Sequence, residues 1–379
     1  MDGNIAVLHD IVNANKNTNY RRTLKILQCN LHGSNAKTHS ILNNPNSAQF
    51  TALLLQEQNW SNYTNTSLLH PSWTVIESTT KTKWPPKSAI YINNRILHTS
   101  SFRQIHIPHS HVTAISITDN EKKATLLINI YNSRNHGPIS LLRQYLREHV
   151  NAKDYKTIIM AGDFNLHHPL WNSEGYLKHD AQADELIEMM AEHNMRLLLP
   201  PGTITFPNAG TTIDLIWGNE NAEQTLLKCQ ISEDNDHGSD HLPIETILDI
   251  EQQAAEQNTQ LAYNYSKTDW RTMEMKLHKY LPDIIDTDST RPEILDQFAV
   301  DITNAFQTAI NETTPRKKPC PFSKRWWTNN LTQLRKATNR RRNRYRRSQN
   351  EWDKRKWKNQ QNKYECEIRR AKKNVERLR

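Results

Sequence analysis

Ile158-Ile159-Met160-Ala161-Gly162-Asp163-Phe164-Asn165 is the stretch around which the rest of the chain is organised. A continuous apolar run stops abruptly at Gly-Asp-x-Asn, the pattern of a buried strand that delivers a carboxylate and an amide to the rim of a sheet. Asp163 and Asn165 are two apart, so extended geometry sends both side chains to one face. Gly162 permits close backbone approach beside them. A carboxylate next to a neutral amide suits phosphate chemistry: one takes a proton, the other donates to an anionic oxygen without adding negative charge. Taken alone, the tetrapeptide reads more simply as a turn after a strand, so the other strand ends decide the matter.

Working outward, Leu24 to Leu31, Ala52 to Glu57 and Ala124 to Tyr131 are further apolar strand candidates. Trp73 to Glu77, Ser88 to Ile92 and His111 to Ile117 are shorter ones, rich in β-branched residues. Helices are expected over Ile139 to Val150 and Asp180 to His193. A strand over Ile213 to Trp217 carries Asp214 inside it, and a last strand runs from Leu242 to Ile250. Many short strands with fewer helices point to an α/β domain of two packed sheets flanked by helices. The expected division is a loose leader over 1–23, a catalytic domain over 24–250, linker and helices over 251–314, and a basic, aromatic-rich helical tail over 315–379.

The 379 residues carry a net charge of +9, distributed unevenly. Residues 315–379 hold 24 lysines and arginines against five acidic residues, whereas residues 1–314 hold 25 against 35. An acidic body with a cationic extension implies a polyanionic partner held by the extension. Arg340, Arg341, Arg342, Arg344, Arg346 and Arg347 are the densest cluster, and Trp326, Trp327, Tyr345, Trp352, Trp357 and Tyr364 are interleaved or nearby. Such a segment can neutralise phosphates and stack on bases, and it reads equally as a solvated helix whose aromatics pack on the body. The four cysteines form no metal-type pair, no apolar run is long enough for a membrane span, and the N-terminus has no signal-peptide core. The expected location is intracellular, and nuclear at the time of action.

Asn30, Glu57, Tyr131, Asp163 with Asn165, and Asp240 with His241 all lie at strand ends, where active-site groups converge in α/β folds. Glu57 closes an apolar run and must be solvated, paired or coordinated; a salt-bridged rim residue is the plain alternative. Mg2+ takes hard oxygen ligands, which Glu57, Asn30 and Asp240 offer. Asp214 is placed to hold His241 in one tautomer. The other loop histidines, His32, His167, His168 and His237, read as ordinary surface residues.

These motifs, in this order, resemble the endonuclease/exonuclease/phosphatase superfamily: Gln28-Cys29-Asn30-Leu31, Leu53-Leu54-Leu55-Gln56-Glu57, Asn129-Ile130-Tyr131-Asn132, Gly162-Asp163-Phe164-Asn165, Thr212-Ile213-Asp214-Leu215 and Ser239-Asp240-His241-Leu242-Pro243. Within it the chain is similar to the apurinic-type endonuclease domain of non-LTR (LINE-like) retrotransposons, through His167-His168-Pro169-Leu170-Trp171 and Gly202-Thr203-Ile204-Thr205-Phe206. The resemblance implies a four-layer sandwich of two β-sheets covered by helices, and a Mg2+-dependent phosphodiesterase, with Mn2+ as a substitute, that nicks duplex DNA. Asn30 and Glu57 would hold the metal with Asp240 near it. Asp163 would activate or orient the attacking water, Asn165 and Tyr131 would contact the phosphate, and His241, oriented by Asp214, would stabilise developing charge. His32 stands where repair-type relatives carry an acidic residue, which favours ordinary duplex over abasic sites. The tail is similar to the basic region linking endonuclease to reverse transcriptase, so element RNA and a reverse transcriptase outside this chain are implied partners. No Asp-Asp pair for polymerase metals occurs here. A phosphatase or lipid phosphodiesterase of the same fold, and a non-catalytic nucleic-acid-binding remnant, are the alternatives.

Overall fold

The computed structural model describes residues 23–80, 85–119, 122–133, 137–150, 154–250, 263–282, 292–316 and 327–376. The leader, the 251–262 linker and the tail's Pro319, Pro321 and Trp326 lie outside them. By contact, one compact unit comprises Met1–Glu256 with Trp326–Arg379, and a second comprises Gln257–Arg325.

In the first unit the chain gives β1 (Leu24–Asn30), α1 (Asn35–Asn43), β2 (Ala52–Gln56), β3 (Trp60–Ser61), β4 (Thr66–Ser67), β5 (Trp73–Glu77) and β6 (Ser88–Asn93). It continues with β7 (Phe102–Ile105), β8 (Val112–Thr118), β9 (Ala124–Tyr131), α2 (Ile139–His149), β10 (Thr157–Asp163), α3 (Ala181–Glu192) and β11 (Met195–Leu197). β12 (Asp214–Asn219), α4 (Glu220–Gln224), β13 (Leu226–Ile231) and β14 (Ile244–Leu248) complete the body. One six-stranded sheet runs β13-β14-β1-β2-β6-β5, the other β11-β12-β10-β9-β8-β7. Both are mixed: β1 pairs parallel with β2 and β10 with β9, while the remaining pairs are antiparallel.

Three apolar clusters set the four layers. Leu24, Ile26, Leu54, Ile90 and Ile244 of the first sheet meet Ile115, Leu127, Ile159 and Ile216 of the second. The outer face of the first sheet, with Leu27, Leu53 and Tyr91, is covered by Ile41 and Leu42 of α1. The outer face of the second, with Ile128, Ile158 and Met160, is covered by Leu142 and Leu146 of α2 and by Leu186 and Met190 of α3. Because successive strand residues face opposite ways, strands buried on both faces read as unbroken apolar runs. The expected four-layer α/β sandwich is the fold.

Several boundaries differ from the sequence reading, and each has a cause. Asp214 opens its strand instead of lying inside it, because the Thr205 hydroxyl accepts from the amides of Ile213 (3.0 Å) and Asp214 (3.1 Å) before the ladder begins. Helix α1 lacks apolar periodicity, yet its Thr38, His39 and Ser40 are buried, Thr38 accepting from the Asn59 amide and Ser40 bonded to Tyr364 of the C-terminal helices. Those helices, α5 (Trp270–Tyr280) and α6 (Pro292–Thr313) in the second unit aside, are α7 (Asn329–Ser348) and α8 (Glu351–Glu376). They form a hairpin whose Leu331, Tyr364 and Ile368 pack with Ala36 of α1. In the second unit α5 packs on α6, and Arg316 lies 3.5 Å above the Tyr263 ring.

Candidate active site

The carboxyl ends of β1, β2, β9 and β10 share one rim. Parallel registry puts Asn30 beside Gln56, the residue before Glu57, and Asp163 beside Tyr131. Antiparallel registry puts Asp163 opposite Asp214. Gly162 makes this approach feasible: a Cβ there would stand 2.0 Å from the Ile130 carbonyl oxygen, and its φ is +153°.

A line of hydrogen bonds and one longer ion pair runs through these residues. Asp214 Oδ2 accepts from His241 Nδ1 at 2.8 Å. His241 Nε2 lies 3.9 Å from Asp163 Oδ2, which accepts from Asn30 Nδ2 at 2.8 Å. The same amide reaches Glu57 Oε1 at 3.3 Å. Asp240 joins through Ser239, whose hydroxyl lies 2.6 Å from the Asn30 carbonyl and 3.1 Å from the Asp240 carboxylate. Asn165 donates its amide N–H to Asp163 Oδ1 (3.0 Å) and its side-chain amide to Asn132 O (2.9 Å). Both Glu57 and Asn165 hold left-handed backbone angles, φ +45° and +50°, an uncommon conformation for residues with side chains that tends to gather at functional sites. All eight residues expected at the site are thus gathered on this rim.

The electrostatics follow from burial and neighbours. Burial alone would push His241 down, but Asp214, Asp163 and Asp240 outweigh it and raise the ring to about 9. Burial raises Asp163 to about 7, Asp214 adds to the rise, and His241 partly offsets it. Glu57 feels burial in the same upward sense, yet Lys87 at 3.3 Å, Asn30 and Tyr131 hold it below the ordinary carboxylate range. Asp240 is likewise held low against its burial by His241, His32 and Lys37. Burial, Glu57 and Asp163 together push the Tyr131 hydroxyl up, so it stays a proton donor.

A cation fits the Glu57 side of the rim better than the Asp214 side. Glu57 and Asp240 are half-buried carboxylates kept ionised, and Asn30 between them turns its N–H to Glu57 while its oxygen accepts one bond, from the His32 amide at 2.8 Å, and keeps a second lone pair for an ion. Asp163, Asp214 and His241 also come close enough to hold an ion. Asp214, however, is fully buried and both its oxygens are engaged, one by His241 and one by Gln28 Nε2 at 2.9 Å. A second cluster, His168, His179 and Asp184, is excluded by tautomer. His168 Nδ1 accepts from the Leu170 amide at 2.9 Å, so its Nε2 carries the proton and turns toward Asp184 rather than offering a lone pair.

Two contributors escaped the sequence reading. Gln28, Gln56 and Asn129 form a buried amide ladder between the sheets: Gln28 donates to Gln56 (2.8 Å) and to Asp214, and Gln56 donates to Asn129. Phe206 packs its ring 4.9 Å from that of His241, held by the Leu242 amide to Thr205 bond (2.8 Å). Amides in an apolar strand are the signal for the first, since each must find partners; the second lies in the Gly202–Phe206 stretch already singled out, with nothing local to tie its ring to His241. Among the loop histidines, His237 is buried instead of exposed because α8 covers it: Nδ1 lies 2.6 Å from Ser40 Oγ, itself bonded to Tyr364. Of the tail arginines, Arg340, Arg341, Arg344 and Arg347 are exposed and Arg346 half-buried. Arg342 is buried, which removes it from any phosphate-facing row.

Residues 125–245 match the profile of the family described as endonuclease-reverse transcriptase, the stretch that carries Tyr131, Asp163, Asn165, Asp214, Asp240 and His241. No curated protein matches the sequence. Among solved structures, the endonuclease domain of TRAS1, a telomere-specific non-LTR retrotransposon, is 18% identical with a TM-score of 0.48, covering 60% of this chain and 98% of that one. The catalytic domain of Xenopus laevis APE2 is 14% identical with a TM-score of 0.48, over 62% and 94%. The Leishmania major AP endonuclease LMAP is 15% identical with a TM-score of 0.45, over 62% and 90%.

Proposed function

We propose that the chain is a Mg2+-dependent endonuclease that nicks duplex DNA by phosphodiester hydrolysis, as in the target-nicking step of non-LTR retrotransposition. The observation that carries this reading is the convergence of Asp214, His241, Asp163, Asn30 and Glu57 on one rim, joined by hydrogen bonds except between His241 and Asp163, which face each other as an ion pair at 3.9 Å. Asn30 and Glu57, with Asp240 near them, would hold a divalent ion, which would supply Lewis-acid stabilisation of phosphoryl charge. Asp163, poised near neutrality, takes the proton of the attacking water. Asn165 and Tyr131 donate to phosphate oxygens that become more negative as the bond breaks. His241, charged and fixed by Asp214, sits where that charge grows.

The exposed Arg340, Arg341, Arg344 and Arg347, with half-buried Arg346, would meet the flanking backbone or element RNA, each neutralised phosphate adding to the salt dependence of binding. They favour a polymer over the phosphomonoester or lipid head group that the same fold could serve. Trp352, 55% exposed between Arg344 and Lys356, is available for stacking, whereas Trp327 and Tyr364 pack inward. Among the described residues no helix is long and apolar enough to cross a membrane.

The test is conversion of supercoiled plasmid to the open circle by the full chain with Mg2+ or Mn2+. Activity should vanish with chelator and in Asp163→Ala and His241→Ala. Hydrolysis of an inositol phosphate with no plasmid nicking would replace the proposal by the phosphatase reading. Salt-sensitive DNA binding without cleavage under either metal would leave only a nucleic-acid-binding remnant.

A further inference from the structure

We propose that helix α7 holds in place the loop that presents Asp240 and His241, and that Arg342 is the positioning residue at the centre of this hold. The loop, residues 232–243 between β13 and β14, contains no strand, so no sheet ladder fixes its backbone. Its ends are closed by Ser232 N–H to the Pro243 carbonyl and Leu242 N–H to the Thr205 carbonyl, both 2.8 Å, and Ser40 meets His237; between them its carbonyls are met by one face of α7. Arg335, Asn339 and Arg342, spaced four and three apart, point the same way. Arg335 Nη1 donates to the Asp234 carbonyl and Asn339 Nδ2 to the Asp236 carbonyl, each at 2.7 Å. Arg342 pairs with Asp236 Oδ1 at 2.5 Å and donates through its other amino group to the Ser239 carbonyl. From α8, Gln361 reaches the Gly238 carbonyl at 3.3 Å.

Burial distinguishes Arg342 from its neighbours. It is 4% exposed and Asp236 is 2% exposed, in a segment where Arg340, Arg341 and Arg344 face solvent. The planar fork of guanidinium suits two acceptors at fixed positions, which lysine could not engage together. Ser239 is the pivot. Its carbonyl is held by Arg342, and its hydroxyl lies 2.6 Å from the Asn30 carbonyl. The loop is therefore gripped from the tail on one side and from the end of β1 on the other. Asp240 and His241 follow directly. Removing Arg342 leaves Asp236 as a buried charge without its partner and frees the Ser239 carbonyl, so the loop should open locally while both sheets persist.

The activity part of this proposal rests on the nuclease reading; the structural part does not. The experiment compares full-length wild type, Arg342→Met, Arg342→Lys and Arg355→Met, an exposed α8 arginine, by hydrogen exchange and plasmid nicking. In Arg342→Met the amides of 236–242 should exchange at least about tenfold faster while those of β9 and β10 do not change. Its kcat should fall about 10- to 100-fold with KM for plasmid within twofold. Arg342→Lys, which keeps the charge opposite Asp236 but loses the second contact, should fall between. Arg355→Met should match wild type. Unchanged exchange over 236–242 in both Arg342 variants overturns the hold. Faster exchange with unchanged kcat overturns the positioning role. Should Arg342→Met not fold, Arg342→Lys alone decides by the same two criteria. A wild type that exchanges as described but cuts no DNA would sink the nuclease reading and leave the hold standing.

Discussion

Replacing Asp214 by Asn conserves shape and removes one buried charge, so its consequences can be worked through in some detail. Asp214 is fully buried and accepts two hydrogen bonds, from His241 Nδ1 at 2.8 Å and Gln28 Nε2 at 2.9 Å. An asparagine can accept on one side only, so either Gln28 or the ring faces a donor. The larger effect is electrostatic. His241 is raised from 6.5 to about 9 against its own burial, and Asp214 is the largest of the groups that raise it. That shift corresponds to about 3 kcal/mol in favour of the charged ring. Without Asp214, burial prevails and the ring should be neutral at pH 7.5. Losing one preorganised charge at the developing phosphoryl charge should slow nicking roughly 10²- to 10³-fold. The assay is plasmid nicking at saturating DNA, beside an NMR titration of the His241 ring in both proteins. If the variant ring still titrates near 9, or if nicking stays within about threefold of wild type, Asp214 does not hold this imidazole for catalysis.

Glu57→Gln should raise the Mg2+ concentration for half-maximal nicking at least about tenfold, read in parallel by Mn2+ binding, since a half-buried carboxylate held ionised is replaced by a neutral amide. Gly162→Ala should cost more than about 3 kcal/mol in urea unfolding, because the new Cβ meets backbone, the Ile130 oxygen, at 2.0 Å. His39 gives a pH effect of definite sign. Burial, Lys372 and His70 lower it from 6.5 to about 4, so the unfolded chain takes a proton that the folded ring refuses. Its contribution is whole above pH 6.5 and is lost as pH falls toward 4, by up to about 3 kcal/mol. Asp163, raised to about 7, titrates in the opposite sense over the same range. The expected observation is therefore the difference: His39→Gln should lose less stability than wild type between pH 7.5 and 4.5.

What the sequence made legible was whatever is written locally. Strands buried on both faces gave uninterrupted apolar runs, and the polar residues ending those runs, Asn30, Glu57, Tyr131 and Asp163, are the ones the rim gathers. What it hid depends on partners far away in the chain. Gln28 lies 186 positions from Asp214, and Asn129 lies 73 from Gln56. In a strand pattern each is just a polar residue out of place. α1 was invisible because only Ile41 and Leu42 of its buried residues are apolar, while Thr38, His39 and Ser40 are polar and Ser40 is bonded to Tyr364, 324 positions later in the chain. Arg342 was indistinguishable from the arginines around it, since composition records charge but not the side of the helix on which it falls.

The amide ladder also explains how two buried carboxylates can be tolerated as cross-strand partners. Asp163 and Asp214 face each other across β10 and β12, an arrangement in which like charges repel. Further charges would have deepened the conflict, and apolar residues would have left Asp214 with a single donor. Gln28 supplies a neutral donor to Asp214, and Gln56 and Asn129 hold Gln28 in turn, so the donor is satisfied without altering the local charge. One cation, His241, is then shared between two anions. Each carboxylate accepts two hydrogen bonds, but Asp214 holds the ring at 2.8 Å and keeps it charged, whereas Asp163, 3.9 Å from it, is raised toward neutrality and becomes the group able to exchange a proton. The division of labour between two identical carboxyl groups is thus set by which of them holds the imidazole directly, with neutral amides satisfying both.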